Sequence, residues 1–142
     1  MRDMDYWERL ALVGLYSQQR RRERYAAIYV WKCAVGLISG YQLSFTQHPR
    51  RGRLCTIRSI NRSAPASVRR TSESSLAIKG AKIFNLLPRN IRDTEALKTE
   101  PFKRILDKYL RDVPDQPTIS ERRRPALTNS LLDQIPMMVK SL

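Results

Sequence analysis

The fold is decided by residues 18–36, which read QQRRRERYAAIYVWKCAVG. Ser17 stands immediately before them, and a serine in that place caps a helix by accepting a free backbone N–H group. The second half of the stretch is apolar on too many sides for a simple amphipathic stripe. We therefore predict one long helix whose second half forms the core of the domain. The side chains predicted to be buried in it and just after it are Tyr25, Ile28, Tyr29, Trp31, Val35 and Ile38.

The first half of this stretch, QQRRRER, is almost wholly cationic. That composition runs against the helix dipole, since a helix N-terminus favours acids over arginines by about 0.3–1 kcal/mol for each side chain. Some other interaction must therefore favour arginine at these positions.

Two further helices are predicted from the spacing of apolar residues on either side of this stretch. The first begins after Asp3 or Asp5, either of which can cap it. The later one begins near Thr99, which can cap it, and stops at the Val-Pro pair of residues 113–114. A single helical turn at residues 80–88 closes on a proline. Positions i, i+3, i+4, i+7 and i+8 are occupied by Trp7, Leu10, Ala11, Gly14 and Leu15 in the first helix and by Phe102, Ile105, Leu106, Tyr109 and Leu110 in the later one.

The middle and the end of the chain carry weaker signals. Residues 39–75 are rich in Arg, Ser and Pro and are predicted to be mostly loop, with residues 54–60 and 75–79 as candidate strands of a small antiparallel ribbon. Residues 114–142 hold four prolines and are predicted to be a partly disordered tail with at most one docked turn. The predicted fold is therefore mainly α, with three longer helices and a basic, loop-rich middle, in a domain of residues 1–113 followed by the tail.

The charge of the chain points to a polyanionic partner. Its 142 residues include 27 Lys and Arg against 13 Asp and Glu, a net charge of +14. Residues 20–70 carry twelve of these cations and the single acid Glu23, a balance of +11, whereas residues 1–19 sum to −1 and residues 71–142 to +4. Arginine dominates the basic stretch, which suits bidentate contact with phosphate. Nucleic acid is the favoured partner, and a solvated basic face without a specific ligand is the alternative.

The predicted phosphate contacts come from the head of the long helix and from the loop after it. Helical geometry puts residues 20 and 24 on one face and turns the other two arginines away by about 100° and 200°, so two or three of the four can reach one backbone. Trp7 and Tyr25 are near enough to stack on bases, although we expect both in the core. The predicted nucleic-acid-binding residues are Arg20, Arg21, Arg22, Arg24, Arg50, Arg51, Arg53, Arg58, Arg69 and Arg70.

Residue counts exclude several kinds of chemistry. Cys33, Cys55 and His48 are the only cysteines and histidine, so the chain cannot assemble a four-ligand Cys/His zinc site. His48 stands in a predicted loop without a second histidine or a thiol beside it, so we expect a bystander rather than the base of a Cys/His or Ser/His/Asp site. We expect no cofactor, metal or catalytic residue. Residues 1–10 are too charged for a secretory signal, which predicts a nuclear or cytoplasmic protein. Residues 25–41 are apolar but short of the roughly 20 residues that a membrane span needs, so no membrane partner is expected.

A series of motifs runs along the chain and covers roughly residues 5–135. The longest is YWERLALVGLYSQQRRRERYAAIYVWK at residues 6–32. In their order these motifs resemble the region that follows the polymerase core in reverse transcriptases of non-LTR retrotransposons, the jockey-like LINE elements. The later motifs are RRGR at 50–53 with Cys55 after it, KGAKIFNLLP at 79–88, IR at 91–92, FKRILDKYL at 102–110, PDQP at 114–117 and NSL at 129–131.

The resemblance implies a C-terminal segment of such an enzyme, which holds template RNA or target DNA beside the polymerase core. The chain departs from the family in two respects. It has no adjacent Asp-Asp pair, which a reverse transcriptase needs to hold two Mg²⁺ ions, and it has no cysteine/histidine knuckle to grip RNA. It also has no recognisable endonuclease. We therefore expect a non-catalytic segment that binds RNA or DNA through arginine–phosphate contacts, with the polymerase core of the parent element as a further partner.

Two other interpretations stay open at this point. The chain can be a structural or interaction module whose basic surface docks on the polymerase core or on an acidic protein. It can also be a decayed transposon remnant without a retained function.

Overall fold

The computed structural model of the chain describes residues 3–38, 45–47, 54–56, 63–93, 98–117 and 127–140. The described part is mainly helical, as predicted, and includes one short antiparallel ribbon and a π-helical turn at Leu76–Gly80 that leads directly into a helix. The elements in chain order are α1 (Tyr6–Val13), α2 (Gln18–Ala34), β1 (Phe45–Gln47), β2 (Leu54–Thr56), α3 (Ala66–Ser74), the π-turn, α4 (Ala81–Leu86), α5 (Arg89–Arg92), α6 (Thr99–Asp112) and α7 (Leu131–Lys140).

The first two helices begin at the residues that the sequence predicts. Asp5 caps α1 by accepting from the Glu8 N–H at 2.8 Å, and the Glu8 carboxylate accepts from the Asp5 N–H at 3.0 Å. Gly14 ends α1 at φ 64, a left-handed conformation that favours glycine. Ser17 caps α2, because its hydroxyl accepts from the Arg20 N–H at 3.0 Å. By contrast, α6 begins without the predicted threonine cap, and its N-cap residue makes no side-chain capping bond.

The core is built around the inner face of α2. Ala27, Val30 and Trp31 on that face are fully buried, and the Trp31 ring stacks on Phe102 of α6 with centroids 4.2 Å apart and planes at 6°. Helix α4 packs against both α2 and α7. The predicted burial of Trp31 is therefore confirmed. The other large apolar side chains of the core are Ile28, Ile83, Phe84, Leu87, Ile91, Leu106, Leu110, Val113, Leu131 and Ile135.

The outer face of α2 differs from the prediction. Tyr25, predicted to lie in the core, is 65% exposed, because it lies two residues before Ala27 and so about 200° around the helix from the buried face. Tyr29, Val35 and Ile38 are only half-buried. Helix α2 is thus packed against the core on one side and exposed to solvent on the other.

Within the described ranges no helix has the length and apolar character needed to cross a bilayer.

The middle of the chain pairs differently from the prediction. Residues 54–56 do form a strand, but its antiparallel partner is residues 45–47 rather than residues 75–79. The latter belong to a helical region, because Leu76–Gly80 forms the π-turn. A short apolar run is compatible with either a strand or a helix, and periodicity alone cannot separate them. Helix α3, which lies in the predicted loop, has no buried residue and therefore carries no apolar stripe to reveal it.

The end of the chain contributes more to the core than predicted. Residues 131–140 form helix α7 rather than one docked turn, and Leu131 and Ile135 are buried. Pro136 lies inside this helix, where it removes one backbone hydrogen-bond donor. A proline in a short apolar run indicates a helix end, which is why sequence analysis missed α7. The packed core therefore extends past residue 113.

The contact between the π-turn and α2 leaves no room for a side chain at Gly80. A Cβ built there would lie 2.9 Å from Val30 Cγ2 and 3.3 Å from Leu76 Cδ1, and the β-branched Val30 is buried and stiff. We expect Gly80→Ala to lower the free energy of unfolding by about 1–3 kcal/mol in urea denaturation. Adding Val30→Ala makes room for the new methyl, so the double variant should lose less than the two single variants summed. If the losses of unfolding free energy in the two single variants simply add in the double variant, the close approach of Gly80 to Val30 is contradicted.

Candidate nucleic-acid interface

Arg20 points into the protein, where it holds the end of α6. Its side chain is 0% exposed, and its guanidinium donates to the backbone carbonyls of Val113 at 3.0 Å and Pro114 at 2.6 Å. Longer bonds of 3.4 Å reach the carbonyls of Leu110 and Asn129. A cation at a helix C-terminus is also attracted to the negative end of the helix dipole, which is stabilising. The predicted phosphate contact by Arg20 is therefore wrong, because a buried guanidinium cannot reach a ligand.

Arg24 is also engaged within the protein. Its guanidinium forms a bidentate ion pair with Asp107 of α6, at 2.6 Å and 2.8 Å. This hydrogen bonding raises the pKa of Arg24, against a smaller opposing effect of burial. The structure thus assigns Arg24 to the α2–α6 contact and not to a phosphate. The backbone carbonyl of Asp107 also accepts a hydrogen bond from the Tyr16 hydroxyl, at 3.3 Å.

Glu23 is the one acid of the basic stretch, and it holds the start of α7. Its buried carboxylate accepts from the Leu131 N–H at 2.8 Å and from the Ser130 hydroxyl at 2.5 Å. The Gln19 side-chain amide also donates to it, at 3.0 Å. An acid at a helix N-terminus satisfies free N–H groups and matches the positive end of the dipole. Glu23 and Arg20 are three residues apart and so share one helical face, which is the only sequence signal that could have paired them.

The exposed face of α2 lines an open cavity. This cavity has a volume of about 470 Å³, and Arg22, Tyr25, Tyr29 and Lys32 lie along its α2 wall. Leu76 of the π-turn lies in the wall as well. The α2 residues follow the spacing of one helical stripe, opposite to the stripe that packs in the core. Aromatic rings and cationic side chains therefore meet on one surface.

A second cavity of about 230 Å³ adjoins the first. The two cavities share Arg22, Ala26 and Leu76 in their walls, so they lie side by side on the surface, and we call the pair the α2 groove. Lys79 lines the second part. The other residues that line the second cavity are Gln19, Glu23, Ser74, Gly80 and Ile83, and Ile28 completes the wall of the first.

The charge of the α2 groove is positive. Arg22, Lys32 and Lys79 line it, and the one acid among its described wall residues is Glu23. The Glu23 carboxylate already accepts three hydrogen bonds within the protein. With three cations against this one buried acid, the groove presents net positive charge and aromatic surface to a ligand.

The other predicted arginines are divided between the exposed surface and the undescribed part of the chain. Arg21 is exposed and donates to the Tyr16 carbonyl at 3.0 Å. Arg69 and Arg70 are exposed on α3, whose last residue Ser74 lines the groove. Arg50, Arg51, Arg53 and Arg58 lie outside the described residues.

No family model matches the chain, and comparisons with curated proteins and with solved structures find no similar protein. Among the residues that the structure describes, no three His, Cys, Asp or Glu side chains cluster closely enough to hold a metal ion. Function is therefore inferred from the charge and geometry of the α2 groove together with the sequence resemblance.

Proposed function

We propose that this chain is a non-catalytic nucleic-acid-binding segment of a non-LTR retrotransposon reverse transcriptase, which holds template RNA or target DNA through the α2 groove. One observation carries the proposal: Arg22, Lys32 and Lys79 line the same groove beside an exposed tyrosine. Neighbouring cations of this kind bind phosphate groups, and the backbone of RNA or DNA carries phosphates at regular intervals. A nuclear or cytoplasmic location would give the chain access to both nucleic acids. The motif resemblance adds the parent family and the polymerase core as a neighbouring partner.

The division of α2 into two faces supports this use of the groove. Arg20 and Arg24 are engaged with α6, so they stabilise the helix without contributing to the outer surface. Arg22 is left on the outer face with its charge available. An arginine side chain suits phosphate because its planar guanidinium donates two parallel bonds. The net charge of +14 adds a long-range attraction that steers nucleic acid toward the domain.

The test replaces the charges of the groove. We expect Arg22→Gln, Lys32→Gln and Lys79→Gln together to weaken binding to RNA and DNA of unrelated sequence, because phosphate contacts carry no base information. Each phosphate that is no longer neutralised should lower the magnitude of the slope of log K against log salt by up to about 0.9 on a duplex, or roughly 0.7 on a single strand. Fluorescence anisotropy titrations at several salt concentrations measure both the affinity and the slope.

A matched control removes the same charge elsewhere. Arg104, Lys108 and Arg111 are exposed along one face of α6, and changing all three to Gln lowers the net charge by the same amount. This control should retain most of the affinity and of the salt slope. Equal losses in the two triple variants would show that net charge alone governs binding and would contradict a role for the groove.

One observation favours a second function, docking on the polymerase core or on an acidic protein. Helix α1 has no buried residue, and Tyr6, Leu12, Val13 and Leu15 are at least half exposed on and just after it. Several large apolar side chains exposed on one short helix are typical of protein contact sites. Competition separates the two functions: heparin and short duplexes should displace a nucleic-acid ligand, whereas an acidic protein should be the better competitor for a docking surface.

A further inference from the structure

We infer that the α2 groove takes an unpaired base of a single strand, stacked on Tyr25, while phosphates on either side of it along the same strand contact Arg22 and Lys32, so that the domain selects single-stranded over duplex nucleic acid. This inference rests on the proposed function and adds the class of ligand. It follows from the position of the tyrosine ring, the shape of the cavity beside it, and the spacing of the cations.

Tyr25 is an exposed ring with a guanidinium over one face. It is 65% exposed on the outer face of α2, one turn from Arg22 and one turn from Tyr29. The Arg24 guanidinium carbon lies 5.9 Å from the centroid of the Tyr25 ring, and Arg24 is itself fixed by its two bonds to Asp107. A cation over an aromatic face supports it by cation–π attraction. The ring is thus supported by a fixed guanidinium while most of its surface stays open to a ligand.

The cavity beside the ring suits a base better than a second charged group. Its volume of about 470 Å³ falls within the range of about 300–1,000 Å³ that is usual for small-ligand sites. Ala26, Ile28, Tyr29 and Leu76 give it a largely apolar wall. A nucleobase has flat apolar faces that stack on aromatic rings in single-strand-binding proteins, and every base has such a face. In a duplex these faces are covered by neighbouring base pairs, so only an unpaired base can enter.

The cations lie on both sides of this cavity along the helix. Arg22 and Lys32 are ten residues apart, which corresponds to about 15 Å along the axis of α2. A strand that runs along α2 therefore meets a cation before and after the base that occupies the cavity. Lys79 extends the same surface beyond Arg22, in the adjoining part of the groove. Phosphate contacts and base stacking thus act on one strand at once.

The experiment separates the base from its phosphates. Fluorescence anisotropy at constant salt compares a labelled oligothymidylate, a strand of equal length and charge in which abasic sites replace the bases, and a duplex of equal length. We expect the wild-type chain to bind oligothymidylate about 5- to 150-fold more tightly than the abasic strand, the range given by one stacked base. Tyr25→Leu should lose that advantage while binding the abasic strand and the duplex as before, and Tyr25→Phe, which keeps the ring, should retain it.

The outcomes distinguish this inference from the proposed function. If the wild-type chain binds oligothymidylate and the abasic strand equally, or if Tyr25→Leu weakens all three ligands in parallel, the base site is overturned while charge-based binding stands. Preference for the duplex would overturn it in the same way. If the wild-type chain binds none of the three ligands, both the inference and the proposed function fail. Thermal melting of each variant confirms that the exposed substitution leaves the fold intact.

Discussion

We expect Trp31→Ala to lower the free energy of unfolding by roughly 3–5 kcal/mol, the usual cost of truncating a buried aromatic side chain. Trp31 is 0% exposed and stacks on Phe102, so its removal leaves a cavity between α2 and α6 at the centre of the core. A domain has only about 5–15 kcal/mol of stability in total. Urea denaturation followed by circular dichroism should therefore show a protein that is largely unfolded without urea, or whose unfolding midpoint lies at a far lower urea concentration than that of the wild type.

Two further variants identify the cause of that destabilisation. The indole Nε1 of Trp31 is buried without a hydrogen-bond partner among the described residues, so Trp31→Phe removes no bond and keeps an aromatic ring against Phe102. We expect Trp31→Phe to cost much less than Trp31→Ala. Tyr25→Ala on the exposed face of the same helix should change stability by about 0.5 kcal/mol or less. Near-native stability of Trp31→Ala would show that the core lies elsewhere.

Arg20→Ala should also destabilise the protein by roughly 3–5 kcal/mol, the cost of removing one partner from a buried charged network. Arg20 donates to the carbonyls of Val113 and Pro114, and its Nε lies 3.9 Å from Asp115 Oδ1. Alanine leaves these buried acceptors without their donor, and an unsatisfied buried polar group costs about 1–3 kcal/mol. The effect should be measured as a decrease in unfolding free energy in urea.

The neighbouring arginine provides the control for this prediction. Arg21 follows Arg20 directly but is exposed, and its one bond runs to the Tyr16 carbonyl at 3.0 Å. We expect Arg21→Ala to change stability by no more than about 0.5 kcal/mol. If Arg20→Ala and Arg21→Ala unfold at the same urea concentration, Arg20 does not hold the end of α6, which would contradict its buried position.

Local signals allowed the helix starts and part of the core to be predicted. Asp5 and Ser17 cap α1 and α2 as expected, because capping depends on a side chain and on backbone groups no more than three residues away. Apolar spacing located α6 correctly and with it the burial of Phe102. Helix α7 was missed because Pro136 indicates a helix end, whereas the contacts that stabilise the helix join residues far apart in sequence. These contacts are the packing of Leu131 in the core and its capping bond to Glu23.

The candidate site was predicted only in part for the same reason. The run of arginines predicted a basic surface on the head of α2, and Arg22 does line the groove there. Lys32 and Lys79 were not among the predicted contacts, since they are isolated cations that become neighbours of Arg22 only when the π-turn packs beside α2. Tyr25 is near enough to the arginines to stack on a base, but its sequence context predicts burial, because an aromatic residue in an apolar run is most often buried.

The amino-acid sequence by itself determined that α2 is a helix, where it begins, and that its second half carries the core, because caps and apolar spacing act over one or two turns. Only the tertiary structure decided which arginines face inward. Helical geometry separates Arg20 and Arg22 by about 200°, so one of them had to point away from whatever the other contacts. The open carbonyls at the end of α6 lie against Arg20, and they come from residues about ninety positions away along the chain. The guanidinium of Arg20 is stabilised by donating to these buried carbonyls. Because Arg20 faces inward, Arg22 lies on the solvent side of the helix.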